Sequence, residues 1–367
     1  MSHPYLSVPP EGFWKTAVAD RSPFEISNLW APKFPITPDS RIVTAGSCFA
    51  QHFGRALVAR GYNWLDAEPG PHGLSPQQRH DYHYGAFSFR TGNIYTPRMM
   101  RQWLQWALGH ADVPDEVWQK DGRYFDPFRP AVEPGGFSSP DELRLSRADT
   151  LAAIRESVVQ ANVFVFTLGL TEAWQSADGL AEYAVCPGTV AGTFDAERHK
   201  FVNHPYRALV SEMTAIVKLL TRANRSVKIL LTVSPVPLTA TATGHHVLLA
   251  SSHSKSMLRA VVGAMADSYP AVDYFPSYEF ITNPVFRGMF FGPNMRSVTQ
   301  AGVDFVMANF FRDQATAYPP APRRRTVVRT NFEPPLPAQA ADPAVQPSPN
   351  SIADLHCEEE ILSAFAR

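Results

Sequence analysis

The chain's 367 residues, 45% of them hydrophobic, suffice for one large core or two moderate ones. A formal net charge of −1 gives no electrostatic basis for a nucleic-acid or acidic partner. Three widely spaced cysteines, Cys48, Cys186 and Cys357, form no metal-ligand pair and no disulfide framework; with no signal pattern at the N-terminus and no apolar run of membrane-span length, the expectation is a cytoplasmic protein in a reducing compartment.

Residues 1–34 are rich in proline and aromatics and read as an extended arm, a character that runs on to residue 40. In Arg41–Arg60, Ile42, Val43 and Ala45 make a short β-type run, Gly46-Ser47-Cys48 breaks it, and Phe49, Phe53 and Leu57 then share one helical face. Tyr62–Asp66 reads as a second, shorter strand and Pro69–His83 as loop. Gly92-Asn93 signals a turn. Thr96-Pro97 opens a helix whose stripe is Met100, Trp103, Leu104 and Ala107. Residues 111–146 read as an insertion and Thr150–Ala161 as a helix. Val163–Leu170 is a continuous apolar run of the kind a buried parallel strand shows, ending in Gly169-Leu170-Thr171-Glu172.

Residues 175–204 read as a second insertion, followed by an amphipathic helix from Tyr206 to Leu220. Val227–Val233 is a further buried strand, stopped by Ser234-Pro235-Val236-Pro237. A loop, Leu238–His253, leads to a helix with Met257, Leu258, Val261, Val262 and Met265 on one face. Val272–Phe275 reads as a strand, and Val303, Val306, Met307, Phe310 and Phe311 mark the last helix. Strand and helix alternate, which predicts an α/β three-layer domain with a mainly parallel sheet over residues 35–312. Residues 313–367 read as a Pro-rich flexible tail that offers a protein partner a handle. Its last part, Ile352–Phe365, is expected to be a solvated end, with a short docking helix as the alternative.

A serine in a strand–turn–helix unit lies at the carboxyl edge of a sheet, where open α/β sheets bind ligands. Ser47 there is either a helix N-cap or a nucleophile whose oxyanion the helix N-terminus favours; the residues alone leave both open. Gly188–Phe194 (GTVAGTF) lacks the lysine of a phosphate loop, and His199 and His204 are not spaced as in a zinc-protease pattern, so neither a metal nor an organic cofactor is expected.

Gly46-Ser47-Cys48, Gly92-Asn93, Gly169–Glu172 and the segment before the last helix all fall where strands end, a layout that resembles the SGNH (GDSL-like) esterases and lipases. The blocks GSCFA, FSFRTGNIYTPR, FTLGLTEAW, LTVSPVPLTAT, SKSMLR and YFPSYE, in this order, resemble the GSCFA-domain family from about Pro35 to Arg312. The resemblance implies a flavodoxin-like α/β/α fold with Ser47 as nucleophile. It implies an oxyanion hole from the Ser47 and Gly92 N–H groups, the Asn93 amide and Thr171, which stands where SGNH enzymes have asparagine. The D-x-x-H slot holds Asn294-Met295-Arg296-Ser297, without acid or base. A base must then come from elsewhere, His246 first and His204 second, with Glu172 to orient it and Arg296, flanked by Asn294 and Ser297, to hold an anionic group. The implied activity is that of a serine esterase or O-acyltransferase acting on an ester of a small molecule, carbohydrate or lipid. The alternative is a non-catalytic binding or scaffold protein of the same fold.

Overall fold

Four apolar runs pair in parallel as the central sheet, in the order Ile42–Gly46, Val163–Leu168, Lys228–Val233 and Val272–Tyr274. The computed structural model describes residues 2–319 and 358–366. In chain order the elements are β1 (Ile42–Gly46), α1 (Phe49–Ala59), α2 (Pro76–Asp81), α3 (Pro97–Ala107), β2 (Trp118–Lys120), β3 (Arg123–Phe125), α4 (Pro140–Gln160), β4 (Val163–Leu168), β5 (Glu172–Ser176), β6 (Glu182–Tyr183) and β7 (His199–Asn203). Then follow α5 (Tyr206–Ala223), β8 (Lys228–Val233), α6 (Val247–Ser268), β9 (Val272–Tyr274), α7 (Ser277–Thr282) and α8 (Gln300–Ala317).

The pleat sends alternate side chains to two cores. Val43, Phe164, Phe166, Ile229 and Leu231 face one, against Trp103 of α3, Ile154 of α4, Met213 of α5 and Leu258 of α6. Ile42, Val163, Val165 and Leu230 face the other, against Phe49 and Phe53 of α1, Phe280 of α7 and Phe310 of α8. Helices therefore cover both faces, and the fold is the expected three-layer α/β/α arrangement.

Several boundaries differ from the sequence expectation, each for a physical reason. Tyr62–Asp66 contributes one parallel bridge, Ile42 to Trp64, rather than a strand. The first insertion holds the β2–β3 hairpin, and its end is the start of α4, capped by Ser139, whose hydroxyl accepts from the Glu142 N–H. The second insertion is a small antiparallel sheet, β6-β5-β7. Helix α6 begins at Val247, inside the expected loop, because the serines of its first turns bond to loops at the sheet edge rather than to solvent. The arm is not merely extended: it makes short helical turns, and Trp30 stacks on Phe310 with ring centroids 5.3 Å apart. Helix α8 runs past the expected limit near Arg312. The Pro-rich part of the tail lies outside the described residues. Its end, Glu358–Phe365, forms a 3-10 helix, the docking alternative rather than the solvated one.

Cys48 is disulfide-bonded and Cys186 is free. This corrects the reading of the cysteines as all reduced, and the argument from them for a reducing compartment loses its premise. Among the described residues, no helix is long and apolar enough to cross a membrane.

Candidate functional site

Strand β1 ends at Gly46 with φ +135°, where a Cβ would lie 2.3 Å from the Thr167 carbonyl oxygen. Only glycine fits this approach of two backbones. The parallel ladder runs one residue further, since the Ser47 N–H donates to Thr167 O at 3.0 Å; the chain then turns into α1 with Cys48 as N-cap. The Gly92–Tyr95 loop is laid alongside by the Ile94 N–H, which donates to Gly46 O at 2.8 Å. The Gly169 and Leu170 N–H groups, just beyond β4, both donate to Tyr95 O, at 2.8 and 3.0 Å.

Trp64 bridges to one side of β1 and β4 pairs on the other, so the winding reverses between β1 and β4. A crevice opens outside the carboxyl ends of strands at such a point. Ser47 and Gly169 occupy it. A Cβ on Gly169 would lie 3.0 Å from the Ser47 Cβ, so glycine is what lets the two strand ends close up.

A small pocket here is lined by Ser47, Tyr95, Gly169, Ser234, Val236 and Lys255, with Cys48 and Leu170 completing it. Ser47 is 2% exposed, and its hydroxyl oxygen has no hydrogen-bond partner among the described residues. Lys255 is also buried, and its Nζ donates to Gly169 O at 2.7 Å. The stripe that carries it along α6 is Ser251, Ser254, Lys255 and Leu258, at helical spacing. Ser251 Oγ accepts from the Leu238 N–H at 3.3 Å and Ser254 Oγ from the Thr171 N–H at 3.1 Å. Helix α6 is thus fastened to two loops of the crevice and delivers a lysine between them. Cys48, being disulfide-bonded, offers no thiolate beside Ser47.

The expected oxyanion donors are largely engaged. The Ser47 N–H belongs to the ladder. Thr171 Oγ1 donates to Asn203 Oδ1 at 2.8 Å. Gly92 makes its turn at φ +67°, and Asn93 is buried with an unpartnered Oδ1, but neither lines the Ser47 pocket.

The expected bases lie elsewhere too. His246 is exposed at the N-cap of α6, where its Nδ1 accepts from the Leu248 N–H at 3.1 Å. His204 is buried, with Nε2 2.8 Å from Glu182 Oε2. That carboxylate is fully buried and also accepts from Thr96 Oγ1 and from Gln175 Nε2, a hub that ties the small sheet to α3. Glu172 orients no histidine: it accepts from the Thr241 hydroxyl at 2.8 Å, and burial raises its carboxyl above the ordinary value while that bond pulls it down. Asn294 closes a turn, its Oδ1 accepting from the Arg296 and Ser297 N–H groups and its Nδ2 donating to Ser297 Oγ at 2.9 Å. Arg296 is taken up by Pro237 O and Glu360.

The pocket residue that the sequence reading does not single out is Lys255. Its signal was present, since it stands in the block SKSMLR, and a lysine amid serines on a helix that also carries an apolar stripe is unusual for an exposed residue. A cavity of about 330 Å³ lies between the arm and Phe286 and shares no residue with the Ser47 pocket.

The family model described as GSCFA family matches residues 41–310, a span that holds every residue of this pocket. No curated protein matches the chain.

Proposed function

The chain belongs to the GSCFA family, and from its Ser47 pocket we propose a serine esterase or O-acyltransferase that works through an acyl-Ser47 intermediate, with Lys255 in place of a histidine. The observation that carries this reading is the pairing of a buried, unpartnered serine hydroxyl with a buried lysine in one pocket at the switch point of the sheet. A serine is a weak nucleophile until a neighbouring base takes its proton, and lysine serves that role in Ser-Lys variants of the catalytic triad.

In the proposed sequence Ser47 Oγ attacks the ester carbonyl of a small-molecule, carbohydrate or lipid ester, and its proton passes to the neutral Lys255 amine. Lysine becomes a cation as the carbonyl oxygen becomes an anion, so one group both accepts the proton and stabilises the charge. The bond to the alcohol then breaks, and Lys255 returns the proton to the leaving oxygen. Water or an acceptor hydroxyl attacks the acyl-serine by the reverse of these steps. The Gly169 carbonyl, which accepts from Nζ, fixes where the amine stands.

The engagement of the Ser47 N–H and the Thr171 hydroxyl favours a second reading, a binding or scaffold protein of the same fold without turnover. A fluorophosphonate probe separates the two. The first reading expects a covalent adduct on the Ser47 peptide, absent in Ser47→Ala. A folded wild-type protein that stays unlabelled refutes it and leaves the second.

A further inference from the structure

A second cavity, of about 220 Å³, adjoins the Ser47 pocket: Tyr95 and Leu170 line both. Met99, Trp174, Val185 and Phe201 give it a mostly apolar wall. Most of its polar side chains are engaged within the protein: Thr189 donates to Cys186 O and the Tyr183 hydroxyl to Glu116. Thr96 donates to Glu182, and Glu172 accepts from Thr241. A sugar placed there would bury several hydroxyls with few partners, whereas an aliphatic chain asks for none.

The remaining side of this cavity is the C-terminal segment Glu358–Phe365, which contributes Ile361 and Leu362. Glu360 of the segment accepts from Arg296 at 3.0 Å, and Arg296 is itself held by its Nε–H, which donates to Pro237 O at 3.2 Å. Pro237 directly follows Val236, which lines the Ser47 pocket. The turn before α8 therefore anchors the segment over the apolar cavity. The ion pair is partly solvent-exposed and holds little by itself, so Ile361 and Leu362 need an apolar partner beneath them.

Resting on the esterase reading, we infer that this cavity is the acyl site, that it takes an unbranched aliphatic chain, and that the C-terminal segment is the wall closing over that chain. The ester carbonyl then lies at Ser47 with its chain running past Tyr95 and Leu170 into the cavity, and the alcohol leaves on the other side.

The test uses the full chain and two probes, an ethyl and an octyl fluorophosphonate. The wild-type protein is expected to react at least tenfold faster with the octyl probe. Ala242→Trp, a change at the exposed rim of the cavity, and Leu362→Asp, in the closing wall, are each expected to bring the octyl-to-ethyl ratio down to near parity. Binding without chemistry gives an independent readout: methyl octanoate is expected to change the fluorescence of Trp174 saturably in Ser47→Ala and not in Ser47→Ala/Ala242→Trp. Equal rates with the two probes in the wild type, or a ratio that ignores both substitutions, overturn the acyl-site inference while leaving Ser47 a nucleophile. Failure of both probes to label overturns the esterase reading and this inference with it.

Discussion

Replacing Lys255 with methionine keeps most of the side chain's length and removes its amine, which gives the substitution two separable effects. Gly169 O loses the donor that reaches it at 2.7 Å, in a place where Lys255 is 3% exposed and water has little access. A buried acceptor left without its partner costs about 1–3 kcal/mol, so a stability loss of that order is expected in urea unfolding. The proposed chemistry loses its proton acceptor and its cation together. General-base removal costs about 10²–10⁴-fold in rate and loss of an oxyanion donor about 10²–10³-fold, so the labelling rate at Ser47 should fall by at least about 10²-fold. Lys255→Arg divides these roles, because arginine keeps the charge and cannot give up its proton. If Lys255 is the base, the arginine variant is as slow as the methionine one. If the charge alone matters, it recovers most of the rate. A folded Lys255→Met protein that labels within threefold of wild type refutes the assignment.

Three further expectations concern Gly169, His83 and the cysteines. Gly169→Ala would set a methyl 3.0 Å from Ser47 Cβ and from Tyr95 Cδ1; overpacking of this kind costs about 1–3 kcal/mol and a misplacement of about 1 Å costs about 10²-fold in rate, so labelling should fall far more than the melting temperature, and an unchanged rate would show the approach is not tight. Burial lowers the pKa of His83 from 6.5 to about 4, with the Arg90 charge a smaller cause. The folded state therefore keeps it neutral, and its contribution to stability, intact above the unfolded value, is lost as pH falls from that value toward the folded one, by about 3 kcal/mol at most. His83→Asn, which suits the residue's φ of +60°, should flatten that part of the acid-unfolding curve, and an identical curve would refute the assignment. In the unfolded, unreduced chain iodoacetamide should modify Cys186 but not Cys48, which becomes reactive only after reduction; in the folded chain, burial pushes the Cys186 thiol up to about 11 and should slow it. Peptide mass spectrometry reads both, and alkylation of Cys48 without reductant contradicts the disulfide.

How much of this was legible in the sequence depends on what each feature needs. Buried parallel strands are apolar on both faces, so VFVFTL and KILLTV announce themselves as runs, and the three-layer fold follows from their alternation with helices. Helix starts are harder. Ser139-Pro140-Asp141-Glu142 is an N-terminal signature, but polar residues follow it, so the apolar pattern places the start of α4 at Thr150 rather than at Pro140. The first turns of α6 contain Ser251, Ser252, His253 and Ser254, a composition that reads as loop; all four are helix, and two of the hydroxyls find loop N–H groups, a tertiary fact no local pattern carries. Histidine is the usual base beside a nucleophilic serine and lysines are seldom buried, so the pattern points to His246 and His204 rather than to Lys255. The position of Ser47 was readable because strand, glycine, serine and helix are contiguous. Which N–H groups remain for a substrate was not, because that depends on the register between β1 and β4.

That register also bears on how the site would work. The crevice at the switch point is assembled by backbone bonds that spend its donors: Ser47 N–H on Thr167, Gly169 and Leu170 N–H on Tyr95, and Thr171 N–H on Ser254. Such an edge is rigid, which suits positioning, and poor in the amide groups that commonly hold an oxyanion. Charge on a nascent oxyanion must then be met by a side chain, and among the residues lining this pocket Lys255 is the cationic one. Gly169 is the residue on which both requirements meet. Its missing side chain lets Ser47 approach β4, and its carbonyl holds the lysine at that same point. A substitution at either residue should therefore disturb the other's function, so the Gly169→Ala and Lys255→Met effects on labelling should be markedly less than additive in the double variant. Full additivity would mean that the two residues act on Ser47 independently, and would separate the lysine from the strand end that is argued to place it.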